Sequence, residues 1–366
     1  MRDAFIAFLL CVAVLAGTEV FLHDALFNKV SYSNSESIDH QLRERNAADD
    51  WDILFIGNSE TRWGIDPAMI DAAFLRHGIV EKSFNHAFDG FGPSWWPLLL
   101  PPILKHPSLR NVRVVVLGVQ MINEEHVIRP LEQERSELQR PVLMSPFAID
   151  LGVEELFRKE SWDATLSRKL FSGLWAVRYS SAVRTLLFPT ALYGTEQVKF
   201  RPRRQGESYH GFEPHMSIDL DQYPLQLANW KAQFNEKQDF KPLPPDIWKA
   251  MTGNSGFFDE LCRIVRSSGK ELVLFALPTN PVIIDTFRRR ENYHRNADLL
   301  RRWAAERNVL FVDFGIQDVQ NPTEFFSDVR HLSAAGARSF SWRLGESLAA
   351  SELVAPLLAG GRKKQK

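Results

Sequence analysis

Short apolar runs alternate with amphipathic segments along much of this chain, a pattern typical of alternating strands and helices. The runs at 52–57 and 112–118 end in turns, and the second has the β-branched composition of a strand buried on both faces. Asp66 followed by Pro67 predicts a helix start, and that helix extends to about Leu75. The pattern returns late in the chain as a helix at 256–266, a strand at 271–277, a helix at 283–307 and a strand at 309–314. This alternation predicts an α/β fold with a mainly parallel sheet.

The alternation fails between about 120 and 250, a stretch with several tryptophans, many prolines and the basic cluster 201–204. We interpret it as a long insertion, helical in part, whose aromatic residues either help to build a substrate site or pack into a small core of their own. The predicted organisation is an N-terminal helix at 1–23, a linker at 24–50, an α/β domain at 51–350 that carries the insertion, and a basic tail at 351–366.

The N-terminus carries the least globular part of the sequence. Residues 4–18 contain no charge, Arg2 precedes them, and apolar residues resume after Glu19. One helix over 4–22 would span roughly 28 Å at about 1.5 Å per residue, which approaches the thickness of the hydrocarbon core. We predict an uncleaved transmembrane signal anchor. A signal peptide cleaved before Gly17 and a buried amphipathic helix are the alternatives.

Composition removes several classes of protein. Hydrophobic residues make up 45% and charged residues 24%, which is a globular balance and neither a disordered nor a polytopic membrane one. A formal net charge of -1 provides no basic field for nucleic acid. The two cysteines, Cys11 and Cys262, have no metal-ligand spacing around them.

Two separated groups of residues could do chemistry together. Ser59 directly follows the first predicted strand, at the carboxyl end where open α/β sheets build their sites, although Gly-Asn-Ser is also ordinary turn chemistry. Asp328 and His331 lie three positions apart before the last predicted helix, so the carboxylate could orient the imidazole as a base. A serine nucleophile requires such a base, because its hydroxyl is weakly nucleophilic at neutral pH.

The order of these blocks, strand-Gly-Asn-Ser first and Asp-x-x-His last, resembles the SGNH hydrolase family, also known as the GDSL esterases and acyltransferases. The resemblance covers about 52–118 and 256–350. It implies a three-layer α/β/α sandwich in which Ser59 is the nucleophile, His331 the general base and Asp328 its orienting carboxylate. It also implies that no cofactor and no metal is needed.

The same resemblance implies an oxyanion hole. The segment 84–90 looks like the second block of the family, with Gly90 as a backbone donor beside the N–H of Ser59. The sequence departs from the family at two places. Asn58 stands where an Asp is usual, and Gln120 stands where the third block has an Asn. Gln120 is the expected third donor, and Asn123, three residues later, is the alternative.

The layout, with an anchor and a large insertion, looks most like the membrane-anchored members. These include the D-alanyl transfer protein of teichoic-acid modification and proteins that acetylate exported polysaccharide. The resemblance implies acyl transfer, with acetyl as the expected acyl group, on a cell-envelope or exported polysaccharide. It further implies a polytopic membrane-bound O-acyltransferase as partner and a single-pass position in the plasma or inner membrane, with the catalytic domain on the periplasmic or extracytoplasmic side.

Three alternatives remain at this level. The protein could be a carbohydrate or lipid esterase, because water and a sugar hydroxyl can resolve the same acyl-enzyme. It could be a non-catalytic, membrane-anchored scaffold that binds glycan or a partner, which the altered third block motivates. It could also be a cytoplasmic lipase-like enzyme whose N-terminal run is a lid or core helix. Two further clusters, His210 with His215 and the run 288–290, are interpreted as a surface loop and a solvated helix face.

Overall fold

The computed structural model describes residues 51–87, 96–105, 109–121, 256–281, 287–315, 325–328 and 330–359, with single positions at 6–17 and 228–232. The chain divides into two compact units, one made of 1–45 and 132–208 and the other of 46–131 and 209–366. Apart from the single positions at 6–17, all described residues belong to the second unit, so the predicted insertion core at 132–208 lies outside them.

Five strands of this unit form one sheet in which every pairing is parallel, which confirms the α/β class and the parallel sheet. The strands are β1 (Ile53–Ile56), β2 (Ser83–Asn85), β3 (Val114–Val119), β4 (Glu271–Ala276) and β5 (Leu310–Asp313). They lie in the order β2-β1-β3-β4-β5. The first strand, β1, thus lies in the interior of the sheet. β2 pairs with one side of it, and β3, β4 and β5 follow on the other side.

Seven helices with described bounds accompany the sheet. They are α1 (Ser59–Gly64), α2 (Pro67–Arg76), α3 (Trp96–Leu104), α4 (Phe257–Ser267), α5 (Phe287–Glu306), α6 (Ala334–Ala349) and α7 (Ala355–Ala359). The sequence predicted α2, α4, α5 and α6, and the expected start of α5 at 283 lies outside the described residues. It missed α1, which is too short to show a period, α3, whose three prolines disfavour a helix, and α7, which lies in the predicted tail at 351–366.

The core lies between one face of the sheet and the helices α2 and α6. Ile53 and Phe55 of β1 point into it with Val114 and Val116 of β3, because alternate residues of a strand share a face. The intervening residues of β1 and β3 are fully buried as well. Burial on both faces explains why these strands read as continuous apolar runs.

Two contacts hold α6 against the segment that joins α1 to α2. The hydroxyl of Ser341 accepts a hydrogen bond from the backbone N–H of Asp66 and lies 3.2 Å from the carbonyl of Gly64, to which it donates. Gly345 permits a close approach, because a Cβ there would lie 2.7 Å from that of Ala73. The helix α6 is therefore fixed against α1 and α2.

No helix among the described residues has the length and apolar character needed to cross a membrane. The predicted anchor at 4–22 lies outside those residues except for five single positions.

Candidate active site

Ser59 is the first residue of α1, directly beyond the buried strand β1. The turn depends on Gly57, whose φ of 155° is rarely adopted by residues with a side chain. Asn58 caps the helix, since its side-chain oxygen accepts from the N–H groups of Glu60 at 3.1 Å and Thr61 at 3.4 Å. The amide oxygen of Asn58 therefore caps the helix, as the carboxylate of the Asp expected from the family resemblance could also do. The N–H of Ser59, at the first helical position, has no acceptor within the helix.

Asp328 and His331 lie on a short loop that leads into α6. The loop is closed by an isolated antiparallel bridge between Phe326 and Leu332, both buried, and by a hydrogen bond from the N–H of Ser327 to the carbonyl of His331. Ser333 then caps α6 by accepting from the N–H of Gly336 at 3.0 Å. Two buried apolar anchors and a helix cap thus hold the Asp-His pair in place.

The structure brings Ser59, His331 and Asp328 together as the sequence predicted. His331 Nε2 is 2.9 Å from Ser59 Oγ, across 272 positions of sequence, and His331 Nδ1 is 2.7 Å from Asp328 Oδ2. Both distances are within hydrogen-bond range, and the two contacts use opposite nitrogens of the ring. If Nδ1 donates to the carboxylate, Nε2 is left as the acceptor for the serine proton.

The environment of Asp328 favours its charged form. Partial burial by itself raises the pKa of this carboxyl, but the hydrogen bond and charge of His331 lower it, and so do the backbone N–H groups of His331 and Arg330. The net effect holds the pKa of Asp328 below its ordinary value. Asp328 Oδ1 accepts from both N–H groups at 2.7 Å, so the carboxylate is oriented by the backbone of its own loop.

Asn280, just beyond β4, ties this loop to the sheet. Its side-chain nitrogen donates to the carbonyl of Asp328 at 3.2 Å, and Asn280 is almost fully buried. The site therefore draws on the carboxyl ends of two strands, β1 for the serine and β4 for the loop, which is where open α/β sheets place their ligands.

Trp63 covers one side of the imidazole and was not predicted. Its ring centroid lies 4.5 Å from that of His331, with the planes tilted by 49°. Trp63 follows Ser59 by four residues on α1, so both occupy one face of the helix, and both are half-buried whereas the intervening residues are buried. The (i, i+4) spacing of Ser59 and Trp63 was the sequence feature that could have indicated this contact. An indole face beside the ring would stabilise an imidazolium.

Asn85 at the end of β2 supports α1 from below and was also missed. Its side-chain nitrogen lies about 3 Å from the carbonyls of Thr61, Arg62 and Ile65, and its oxygen accepts from the N–H of Ala87. These carbonyls lie at the C-terminal end of α1, where intrahelical donors run out, although the carbonyl of Thr61 also accepts from the N–H of Ile65 at 3.0 Å. Asn85 is fully buried, so this amide is the polar partner that a short, buried helix end requires.

The predicted oxyanion residues are only partly described. Gln120 directly follows β3, and its Nε2 donates to Glu60 Oε1 at 2.5 Å, which places the amide beside the residue that follows Ser59. β3 itself runs one residue beyond Gly118 to Val119. Gly90 and Asn123 lie outside the described residues.

The other residues singled out from the sequence lie away from this site or outside the described residues. His210, His215 and the basic cluster 201–204 are outside it, whereas Cys262 is a buried free thiol on α4. Of the run 288–290, only Arg290 has a described side chain, which is exposed on α5. Within the described ranges, no group of three or more His, Cys, Asp or Glu side chains could hold a metal ion.

A scan against protein-family models finds no match to this chain, and a search of the curated proteins finds none either. The resemblance to the SGNH family therefore rests on the residues quoted above and stays a prediction.

Proposed function

We propose that this protein is a Ser-His-Asp acyl-transfer enzyme of SGNH type, with Ser59 as nucleophile, His331 as general acid and base, and Asp328 as the carboxylate that orients His331. The observation that carries the proposal is the chain of two hydrogen bonds at 2.9 and 2.7 Å that joins residues from opposite ends of the domain. A serine, a base within reach and a third group that orients the base form the general pattern of an activated nucleophile.

The reaction would proceed in two halves. Ser59 Oγ attacks the carbonyl carbon of the acyl donor while His331 Nε2 takes its proton, and the C–O bond to the leaving group breaks as His331 returns that proton. An acyl-enzyme remains. A hydroxyl of the acceptor then attacks it, its proton passes to His331 Nε2, and the bond to Ser59 breaks as that proton returns to Oγ.

Stabilisation of the oxyanion would come from the N–H of Ser59, the backbone of Gly90 and the side chain of Gln120, with Asn123 as the alternative to Gln120. The position of Ser59 at the helix start supports the first donor. The position of Gln120 at the end of β3, next to β1 in the sheet, supports the third. Asp328 carries a full charge in this scheme, and the lowered pKa of its carboxyl is consistent with that role.

The substrate class and location follow from the sequence resemblance alone. We propose that the acyl group is an acetyl group, that the acceptor is a cell-envelope or exported polysaccharide, and that a polytopic membrane-bound O-acyltransferase supplies the acyl group. The uncleaved anchor at 4–22 would place the catalytic domain on the extracytoplasmic side of the membrane. Fractionation of the full chain beside a chain that starts at Ser31 tests the anchor, because only the full chain should sediment with membranes.

Labelling with a fluorophosphonate, followed by peptide mass spectrometry, tests the catalytic assignment. The wild-type chain should be labelled on Ser59, and Ser59→Ala should abolish both the label and the turnover of a chromogenic acetate ester. Ser347→Ala is the matched control, since its hydroxyl donates to a carbonyl on an exposed part of α6. Full activity of Ser59→Ala together with an unlabelled wild-type chain would refute the proposal. Adding a polysaccharide acceptor to the acyl-enzyme then separates transferase from esterase.

A further inference from the structure

Glu60 directly follows the nucleophile and is buried in the first turn of α1. Its Oε1 accepts a hydrogen bond from Nε2 of Gln120. Burying a carboxylate costs free energy unless the carboxylate is paired or hydrogen-bonded, so a buried Glu60 beside Ser59 needs a polar partner. The contact with Gln120 offers one.

Gln120 and Ser59 both lie just beyond the carboxyl ends of two neighbouring strands, β3 and β1. The parallel register pairs Ile56 of β1 with Leu117 of β3, and Ser59 and Gln120 each lie three residues further along. The carboxyl ends of parallel strands meet at one edge of the sheet, so both residues are delivered to the same place. The hydrogen bond to Glu60 holds the Gln120 side chain there.

The chemistry of the pair fixes the direction of the amide. The Gln120 side chain presents its nitrogen to Oε1 of Glu60, which is the orientation that a hydrogen-bond-accepting carboxylate oxygen requires. The terminal torsion of a glutamine is otherwise broad, and the side chain has one more rotatable bond than an asparagine. With one N–H used by Glu60, the second N–H of the same planar group is held in one direction.

We propose that Glu60 is a positioning residue that orients the Gln120 amide, so that its second N–H donates to the oxyanion formed at Ser59. The inference rests on the proposed function, in which Gln120 is an oxyanion donor. Glu60 then supplies the rigidity that a longer side chain lacks, which allows a Gln to act where the family has an Asn.

A double-mutant cycle on the full-length chain tests the coupling. Glu60→Ala should lower kcat for a chromogenic acetate ester by about 100-fold with little change in KM, because a misdirected donor is lost mainly in the transition state. Gln120→Ala should cost a similar factor. Adding Glu60→Ala to Gln120→Ala should cost nothing more, since the residue that Glu60 orients is already gone.

A conservative variant and a surface variant serve as controls. Glu60→Gln should keep most of the turnover, because its side-chain oxygen can accept the same N–H. Glu306→Ala makes the same truncation at an exposed pair on α5 and should change nothing. Losses that multiply in the double variant, or a Glu60→Gln as slow as Glu60→Ala, would overturn the inference.

The side-chain ¹⁵N–¹H resonance of Gln120 gives a readout independent of activity. It is identified as the signal absent from Gln120→Ala, and it should move in Glu60→Ala but not in Glu306→Ala. A resonance unmoved by Glu60→Ala overturns the inference whatever the activity. If the resonance moves but the wild-type chain shows neither turnover nor Ser59 labelling, the contact stands and the proposed function fails, and the oxyanion role fails with it.

Discussion

Gly118 leaves space for α1, the helix that begins at Ser59, and under the proposed function filling that space should disturb catalysis. A Cβ at Gly118 would lie 2.2 Å from Oγ1 of Thr61 and 2.9 Å from Cζ of Phe275. A Cβ at Gly57 would meet the same Thr61 oxygen at 2.2 Å. Thr61, which lies two residues after Ser59 on α1, therefore packs directly against Gly57 and Gly118 at the ends of β1 and β3.

The size of the effect follows from these distances. Ordinary van der Waals contact begins at 3.4 Å, so Gly118→Ala requires Thr61 to withdraw by about 1.2 Å, and Phe275 by about 0.5 Å. A displacement of about 1 Å in a catalytic group can lower turnover by about 100-fold. Overpacking of this kind also destabilises by about 1–3 kcal/mol. Gly118→Ala should thus fold, with turnover lowered far more than stability alone explains.

Ester turnover, the rate of fluorophosphonate labelling and chemical denaturation should be measured on the same variants. Thr61→Ala removes the colliding oxygen, which is buried and makes no hydrogen bond to the described residues, so it should restore much of the turnover of Gly118→Ala. Gly345→Ala is the matched control: it overlaps Ala73 at 2.7 Å, about 16 Å along α6 from the start of that helix, and should lower stability without slowing catalysis. Full activity of Gly118→Ala, or no rescue by Thr61→Ala, would refute the reasoning.

Three further predictions concern polar side chains, namely those of Asn85, Asp328 and Glu81. Asn85→Ala leaves the end of α1 without its amide and should lower the free energy of unfolding by about 2–4 kcal/mol in denaturant titration, since each abandoned buried group costs about 1–3 kcal/mol; an unchanged midpoint would contradict this. Asp328→Asn should lower kcat by about 10⁴-fold while leaving folding intact, because an amide cannot orient the imidazole as a carboxylate does; a loss below tenfold would count against the triad. Burial and the neighbouring carboxylate of Asp52 raise the pKa of Glu81 from 4.5 to about 8 despite the contact with Arg113, so the folded chain keeps a proton that the unfolded chain releases. The free energy of unfolding should therefore fall as pH rises from about 5 to about 8, by up to about 1.4 kcal/mol per unit, and Glu81→Gln should remove that fall; parallel pH profiles for the two chains would show the reasoning to be wrong.

Local patterns in the sequence were sufficient for much of the fold. Within the runs at 52–57 and 112–118, the strand residues Ile53–Ile56 and Val114–Val119 carry no polar side chain because both faces of these strands are buried, and a buried strand has that signature wherever it lies in a sheet. The strand-to-turn transition likewise placed Ser59 at the carboxyl end of β1, and the spacing of Asp328 and His331 allowed their contact. Each of these features depends on residues close together in the chain.

Elements without a local signature were missed. α1 has six residues, less than two turns, so no apolar period can develop, and its N-cap Asn58 also suits an ordinary turn. α3 contains three prolines, which oppose a helix by propensity, yet its apolar residues with described side chains are almost fully buried. β2 has only three residues. Tertiary packing supplies what local preference lacks in each case.

The tertiary structure alone decided which distant residues meet. Strand order, with β1 between β2 and β3, is a consequence of long-range pairing that no local run encodes. That order brings Gln120 to Glu60 and Asn85 to the end of α1, while the packing of α6 on α1 and α2 brings His331 to Ser59. The sequence by itself determined which side chains could do acyl-transfer chemistry. Their convergence depended on the sheet, because hydrogen bonds act only over about 3 Å and only the fold brings such groups that close.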